Sequence, residues 1–241
     1  MSVSIDYTRK TVVITGATGA IGLAFCRGFA AAGANVVAAG ATAAEVEAAG
    51  RIEGVSFRVL DVRSDEAVTR FAADVETIDV LLNGAGVNLR AAEHTPQGFL
   101  DTIDINLNGT MRLSYAFHDK LAARQGAVLN ICSMYSFFGA PHAPAYSASK
   151  GGVAQLTKSL AVAWAKEGIR VNALAPGWIE SAMTAVPRAN PTRNAELMAR
   201  FPTGRWGTPE DLIGPALFMC SPLAGFVTGA ILPVDGAFLV A

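Results

Sequence analysis

Tyr146 and Lys150 stand four residues apart, so on a helix they share a face and bring an ammonium beside a phenol. A free phenol titrates near ~10, too high for easy proton exchange at neutral pH, and a neighbouring cation favours the phenolate and lowers that value. The pair therefore reads as a proton-transfer device. Ser133, upstream, offers a hydroxyl that can hold a carbonyl or alcohol oxygen while the proton moves. The pentapeptide Tyr146-Ser147-Ala148-Ser149-Lys150 is also compatible with the start of an ordinary amphipathic helix. The elements around it have to decide.

Those elements alternate. Residues 11–15 (TVVIT) are a β-branched run ending in Gly16-Ala17-Thr18-Gly19-Ala20-Ile21-Gly22, and an Ala-, Leu- and Phe-rich helix over 23–32 follows. Strand, glycine turn and helix is the context in which small residues let the backbone approach a phosphate while a helix N-terminus supplies free N–H groups. A second strand over 36–39 ends in Gly40-Ala41-Thr42. Dinucleotide folds present there an acid to the adenosine 2′-hydroxyl or an Arg to a 2′-phosphate. Neither is present, and the lack of the cation favours NAD(H) over NADP(H). After a short helix over 43–50, a third strand over 55–60 ends in Asp61-Val62, placed to meet an adenine. Asp61 also qualifies as N-cap of a helix over 65–75. A fourth strand over 78–82 ends in Asn83-Gly84-Ala85-Gly86. Ligands of doubly wound sheets sit beyond the carboxyl ends of the strands at the switch point, and the first and fourth strands both end in glycine turns.

Downstream, residues 96–120 read as one long helix with Asn106 inside it, either a buried amide bonding backbone or a site residue. A strand over 126–133 delivers Ser133 to the carboxyl edge, and a loop over 134–144 leads into the helix over 145–167 that carries Tyr146 and Lys150. A strand over 169–174 runs into Pro176-Gly177-Trp178-Ile179. Residues 184–208, whose Pro- and Arg-bearing middle over 187–202 has no strong period, read as a substrate lid. A helix over 209–220 and a strand over 230–234 complete the pattern. The expected fold is α/β, a doubly wound Rossmann-type parallel sheet of about seven strands with helices on both faces, in a single domain over 1–241.

Composition agrees: 51% apolar residues, 16% charged and 24 glycines suit a sheet covered on both faces. A net charge of −1 carries no electrostatic footprint for nucleic acid or an anionic membrane. No stretch approaches the ~20 apolar residues of a membrane span. Cys26, Cys132 and Cys220 are scattered, with neither a disulfide framework nor metal-ligand spacing. A soluble, cytoplasmic protein with reduced thiols and no metal is expected.

With these pieces placed, the chain resembles the short-chain dehydrogenase/reductase family over nearly its whole length. TGATGAIG is similar to the family's TGxxxGxG turn, with Ala20 where the middle Gly is usual, and NGAG to its NNAG, with Gly84 for the second Asn. INLNG, NICS and YSASK put Asn106, Ser133, Tyr146 and Lys150 on the family's catalytic set. PGWIES resembles the PG motif, with Ser181 for the usual Thr that contacts the nicotinamide amide. GRWGTPEDL and TGAILPVDG resemble the C-terminal signatures, Ala237 standing where a second Gly is common.

The resemblance implies an NAD(P)-dependent oxidoreductase that transfers a hydride between the nicotinamide and a secondary alcohol or ketone. It implies that Tyr146 exchanges the proton, Ser133 fixes the oxygen, Lys150 lowers the Tyr146 pKa and bonds the nicotinamide ribose, and Asn106 holds a water linking Lys150 to solvent. Cofactor contacts are implied at Gly16, Thr18, Ala20, Ile21 and Gly22, then at Gly40, Ala41, Thr42, Asp61 and Val62. Further contacts are implied at Asn83, Ala85 and Gly86, at Pro176, Gly177, Ile179 and Ser181, and at Tyr146 and Lys150 themselves. Met134, Tyr135, Phe138, His142, Trp178 and Met183 fall on the substrate side, with Phe137 beside them and Phe201 and Trp206 closing from the lid. Most are apolar, which favours a ketone with an apolar substituent. An acyl-carrier-protein 3-oxoacyl thioester and a sugar or polyol are alternative substrates, and a non-catalytic dinucleotide sensor or scaffold is an alternative of another class. A homotetramer or homodimer is also implied.

Overall fold

Short aliphatic runs become the strands of the computed structural model, which describes residues 5–241. They are β1 (Thr11–Thr15), β2 (Asn35–Gly40), β3 (Val55–Val59), β4 (Val80–Asn83), β5 (Ala127–Ile131), β6 (Arg170–Pro176) and β7 (Ile231–Val234). All pair in parallel in one seven-stranded sheet of order β3-β2-β1-β4-β5-β6-β7. The order reverses between β1 and β4, so the crevice of a doubly wound sheet opens there.

Successive strand residues point to opposite faces, and both faces are covered. Val12, Ile14, Val36, Ala38, Val80, Leu82 and Leu129 pack with Phe25 and Phe29 of α1 (Ala20–Ala31) and with Met219 of a late helix. Val13, Val37, Leu81, Val128 and Val171 pack on the other side with Phe71, Leu113, Phe117, Leu160 and Trp164. Burying a whole Val, Leu or Phe side chain is worth roughly 1.5–3 kcal/mol, so these two layers hold the carboxyl edge of the sheet in place.

Helix α2 (Ala43–Ala49) crosses from β2 to β3, and α3 (Asp65–Ala73) from β3 to β4. Ser64, not Asp61, caps α3, its hydroxyl accepting the Ala67 N–H at 3.1 Å. Asp61 is turned instead toward Arg63, 2.7 Å away. The expected long helix over 96–120 is interrupted. It consists of α4 (Pro96–Ile103), a π-helical turn Asp104–Asn108 holding Asn106, α5 (Gly109–Ala116), and α6 (His118–Arg124) beyond a break at Phe117. One helix, α7 (Pro144–Trp164), carries both Tyr146 and Lys150.

The segment expected as an irregular lid contains two short helices, α8 (Ala185–Ala189) and α9 (Pro191–Met198). Asn190 starts the second by accepting the Arg193 N–H at 2.9 Å, with Pro191 at the first helical position. The helix expected over 209–220 begins as a 3₁₀ turn, Pro209–Leu212, under a Thr208/Asp211 capping box, and continues as α10 (Ile213–Cys220). No described helix is long and apolar enough to cross a membrane.

Candidate active site

Gly16 leaves β1 with φ +65°, and a Cβ there would lie 2.4 Å from the Gly84 carbonyl oxygen. A Cβ on Gly22 would lie 2.2 Å from the Gly16 oxygen, and one on Gly84 2.7 Å from the Thr15 oxygen. The glycine turns of β1 and β4 are thus in backbone contact, which only residues without side chains permit. The first turn of α1 carries no acidic residue and Gly19 provides no side-chain cap, so its N–H groups remain open to an anion. A cleft of about 680 Å³ lies over these turns.

Gly16, Thr18, Ala20, Ile21 and Gly22 form its floor, Ala41, Thr42, Asp61 and Val62 one end, and Ala85 and Gly86 its middle. Tyr146, Lys150, Pro176, Gly177, Ile179 and Ser181 form the other end. The open N–H groups and side-chain-free turns fit a dinucleotide. Two residues expected to touch it do not face the cleft. Asn83 turns into the core, its Nδ2 donating to Ser114 Oγ at 3.1 Å and Asn130 Oδ1 at 2.9 Å, which ties β4 to β5 and α5. Gly40 lies behind Thr18, where a Cβ would meet Thr18 Cγ2 at 2.5 Å, so it makes room for the turn and leaves the ligand to others. Two residues missed by the sequence reading, Glu45 and Arg63, do line the cleft. Glu45 had a signal: Thr42-x-x-Glu45 is the spacing of a capping box at the end of the second strand.

Ser133 follows β5 and opens a 3₁₀ turn, Met134–Ser136, in which its Oγ accepts the Tyr135 N–H at 3.2 Å. Ser136 Oγ donates to the Lys150 carbonyl at 2.8 Å, fastening that turn to α7. The N-terminus of α7 has no cap from its own chain neighbours. Glu93, 2% exposed, reaches it from the 3₁₀ turn Arg90–His94, its Oε2 accepting the Tyr146 N–H at 2.9 Å and its Oε1 the Leu89 N–H at 2.9 Å.

Burial pushes the Tyr146 phenol up to about 12, with the Ser133 hydroxyl opposing part of the rise. Burial also brings the Lys150 ammonium down to about 8. Lys150 Nζ donates to the Ile131 carbonyl at 2.6 Å and sits 5.7 Å from the centre of the Tyr146 ring. In the protein by itself, desolvation disfavours the charged form of each group and sets the direction of both shifts. Asn106, fully buried in the π turn, faces neither cavity. Its Oδ1 accepts the Val87 N–H at 2.8 Å, while its Nδ2 donates to the Val87 carbonyl at 2.9 Å and to Ser149 Oγ at 3.0 Å. A Cβ on Gly86 would lie 3.3 Å from Asn106 Oδ1 and 3.4 Å from Lys150 Nζ, so these groups converge at Gly86.

A second cavity, of about 630 Å³, opens on the far side of Ser133 and Tyr146. Met134, Tyr135, His142, Trp178 and Met183 line it. Phe138 does not, packing edge-on against Tyr135 at 5.4 Å and tilted against Phe238 at 6.3 Å. Phe137 is exposed outside the cavity, and Phe201 and Trp206 join Met134, Leu197 and Phe238 in a cluster behind it. Asn88, Arg90, His94, Asn190 and Arg193 also line the cavity, interspersed with the apolar Ala91, Pro141, Val186 and Pro187. Arg90 has φ +53°, a strained left-handed conformation for a residue with a side chain, and its guanidinium donates to the Met183 carbonyl. Arg193 and Arg90 add to burial in holding the His142 pKa down. The Trp178 indole N–H is buried there without a partner. Loop residues such as Asn88 and Arg90 carry no periodic signal, so nothing in the sequence reading pointed to them.

A family model described as enoyl-(acyl carrier protein) reductase matches residues 16–238. The chain is 38% identical to a 2-dehydro-3-deoxy-D-gluconate 5-dehydrogenase of Pseudoalteromonas atlantica, over 95% of this chain and 96% of that protein. It is 40% identical to a galactitol 2-dehydrogenase (L-tagatose-forming) of Cereibacter sphaeroides, over 94% of each. Among solved structures, a gluconate 5-dehydrogenase from Burkholderia cenocepacia in complex with NADP and tartrate superposes with a TM-score of 0.91 at 33% identity, over 98% of each chain.

Proposed function

This chain belongs to the short-chain dehydrogenase/reductase family, and we propose that it interconverts a secondary alcohol and a ketone on a polyhydroxylated substrate: a sugar, polyol or sugar acid. It is an NAD(P)-dependent oxidoreductase, in which the nicotinamide gives or takes the hydride. Tyr146 exchanges the proton with the substrate oxygen, and Ser133 fixes that oxygen and stabilises charge developing on it. Lys150 hydrogen-bonds the nicotinamide ribose and returns the proton toward solvent, and Asn106 holds the Val87 segment and α7 together beside it. A phenol pushed up to about 12 is protonated at neutral pH, the form that donates to a ketone oxygen; alcohol oxidation, which needs the phenolate, gains as the pH rises.

The observation that carries the substrate class is that Asn88, Arg90, His94, Asn190 and Arg193 all border the cavity among its apolar residues, five polar side chains that a polyhydroxylated substrate can exploit and a hydrophobic ketone cannot. The names of the relatives, gluconate and galactitol dehydrogenases, agree with it. Initial rates across sugar acids, hexitols, apolar ketones and a 3-oxoacyl thioester, each with both cofactors, test the reading. The highest kcat/KM is expected on a sugar acid or polyol; an apolar ketone or a thioester better by about tenfold, or 1.4 kcal/mol, overturns it.

For the cofactor we propose NAD(H) ahead of NADP(H), because no cation follows β2 and the nearby Arg63 is paired with Asp61. The chain works as one domain over 1–241, with 184–208 as a lid whose Thr184, Val186 and Pro187 border the substrate cavity. We propose a homotetramer, supported by exposed Tyr115 and Val162 on α5 and α7 and Phe226 near β7. The three buried free thiols support a cytoplasmic location.

A further inference from the structure

At one end of the cofactor cleft the turn after β1 and the end of β2 come together, and each presents a hydrogen-bond donor to the same point. Glu45 in the first turn of α2 fills that point, its Oε2 accepting the Ala41 N–H at 3.0 Å and the Thr18 hydroxyl at 3.3 Å. Its own N–H donates to Thr42 Oγ1 at 3.2 Å, which fixes the backbone from which the side chain reaches back. Two converging donors beside a strand end suit an anionic oxygen, and the protein's own carboxylate has taken the place. The arginine that lines this cleft is already committed: Arg63 Nη2 donates to Asp61 Oδ2 at 2.7 Å and Arg63 Nε to Asp61 Oδ1 at 3.0 Å. The uncompensated charge in this corner is therefore that of Glu45.

We infer that Glu45 selects the dinucleotide, accepting a hydrogen bond from a free adenosine 2′-hydroxyl and excluding a 2′-phosphate. Exclusion has two sources: repulsion between like charges, and occupation of the two donors that a phosphate would need. Dinucleotide folds commonly carry such an acid at the end of the second strand, where this chain has Gly40-Ala41-Thr42. Here the acid comes from the helix that follows. The inference rests on reading the cleft as a dinucleotide site.

Calorimetric titration of NAD+ and NADP+ into wild type, Glu45→Gln and Glu45→Ala, without substrate, reads affinity apart from turnover. The wild type is expected to bind NAD+ more than about tenfold tighter than NADP+, with the gap narrowing as salt is added. Glu45→Gln keeps an acceptor and removes the charge, and should bring the two affinities to within about threefold by tightening NADP+. Glu45→Ala frees both donors and should make NADP+ at least as tight as NAD+. Thr42 still accepts from backbone in both variants, so their melting midpoints should match the wild type. A ratio unchanged in both variants that still bind NAD+, or a wild type that prefers NADP+, overturns the role of Glu45. A wild type that binds neither nucleotide overturns the dinucleotide reading itself.

Discussion

Replacing Tyr146 by Phe removes one hydroxyl from a buried ring and leaves the glycine turns untouched. Turnover is expected to fall at least about a hundredfold while NADH affinity stays within about threefold, and activity near the wild-type level refutes the proton-transfer role. Lys150 makes a different prediction, because its pKa falls from 10.5 in the unfolded chain to about 8 in the folded one. Between those values the unfolded chain holds a proton that the folded chain has released, so this group makes stability rise with pH across the window. Lys150→Met abolishes that dependence. Its stability relative to wild type should be greatest near neutral pH and decline toward pH 10, by on the order of 1 kcal/mol or more. Any packing offset is independent of pH, so denaturant unfolding of both proteins across that range reads the slope; parallel curves refute the depressed pKa.

Among the elements, the tie between the Arg90–His94 turn and α7 decides how firmly the phenol is aimed. Glu93→Gln retains one acceptor oxygen where the carboxylate uses two, leaving either the Leu89 or the Tyr146 N–H unpaired, at roughly 1–3 kcal/mol for a buried donor. Because Glu93 touches no reacting atom, kcat should drop by about tenfold while the KM for cofactor holds; equal losses in both would mark a general structural fault. This tie was illegible in the sequence, since its partners lie 53 residues apart. The strands were legible because each is a short aliphatic run closed by Gly or a polar residue, and Ser133, Tyr146 and Lys150 follow directly from the elements that carry them. The π turn was not: an added residue per turn changes spacing without changing composition, so residues 104–108 read as ordinary helix. Pro187 inside α8 and Pro191 at the start of α9 hid the two lid helices in the same way, because each breaks the helical periodicity. The polar residues of the second cavity are brought there by how loops fold over the sheet edge, which no local pattern encodes.

For the whole molecule, the assembly proposal predicts a tetramer by analytical ultracentrifugation. Val162, 81% exposed on α7, is the position to test: Val162→Asp should shift the distribution to smaller species without lowering the melting midpoint of the smaller unit by more than about 1 kcal/mol equivalent. A wild type that sediments as a monomer refutes the proposal. The two cavities described above are separate except where they share Ser133, Tyr146, Gly177, Met183 and Thr184. Met183 and Thr184 stand at the root of the lid, so a ligand on either side presses against the same short piece of chain. Thermodynamic reciprocity then applies: whatever factor a saturating, unreactive sugar acid imposes on NADH affinity, NADH must impose on the sugar acid.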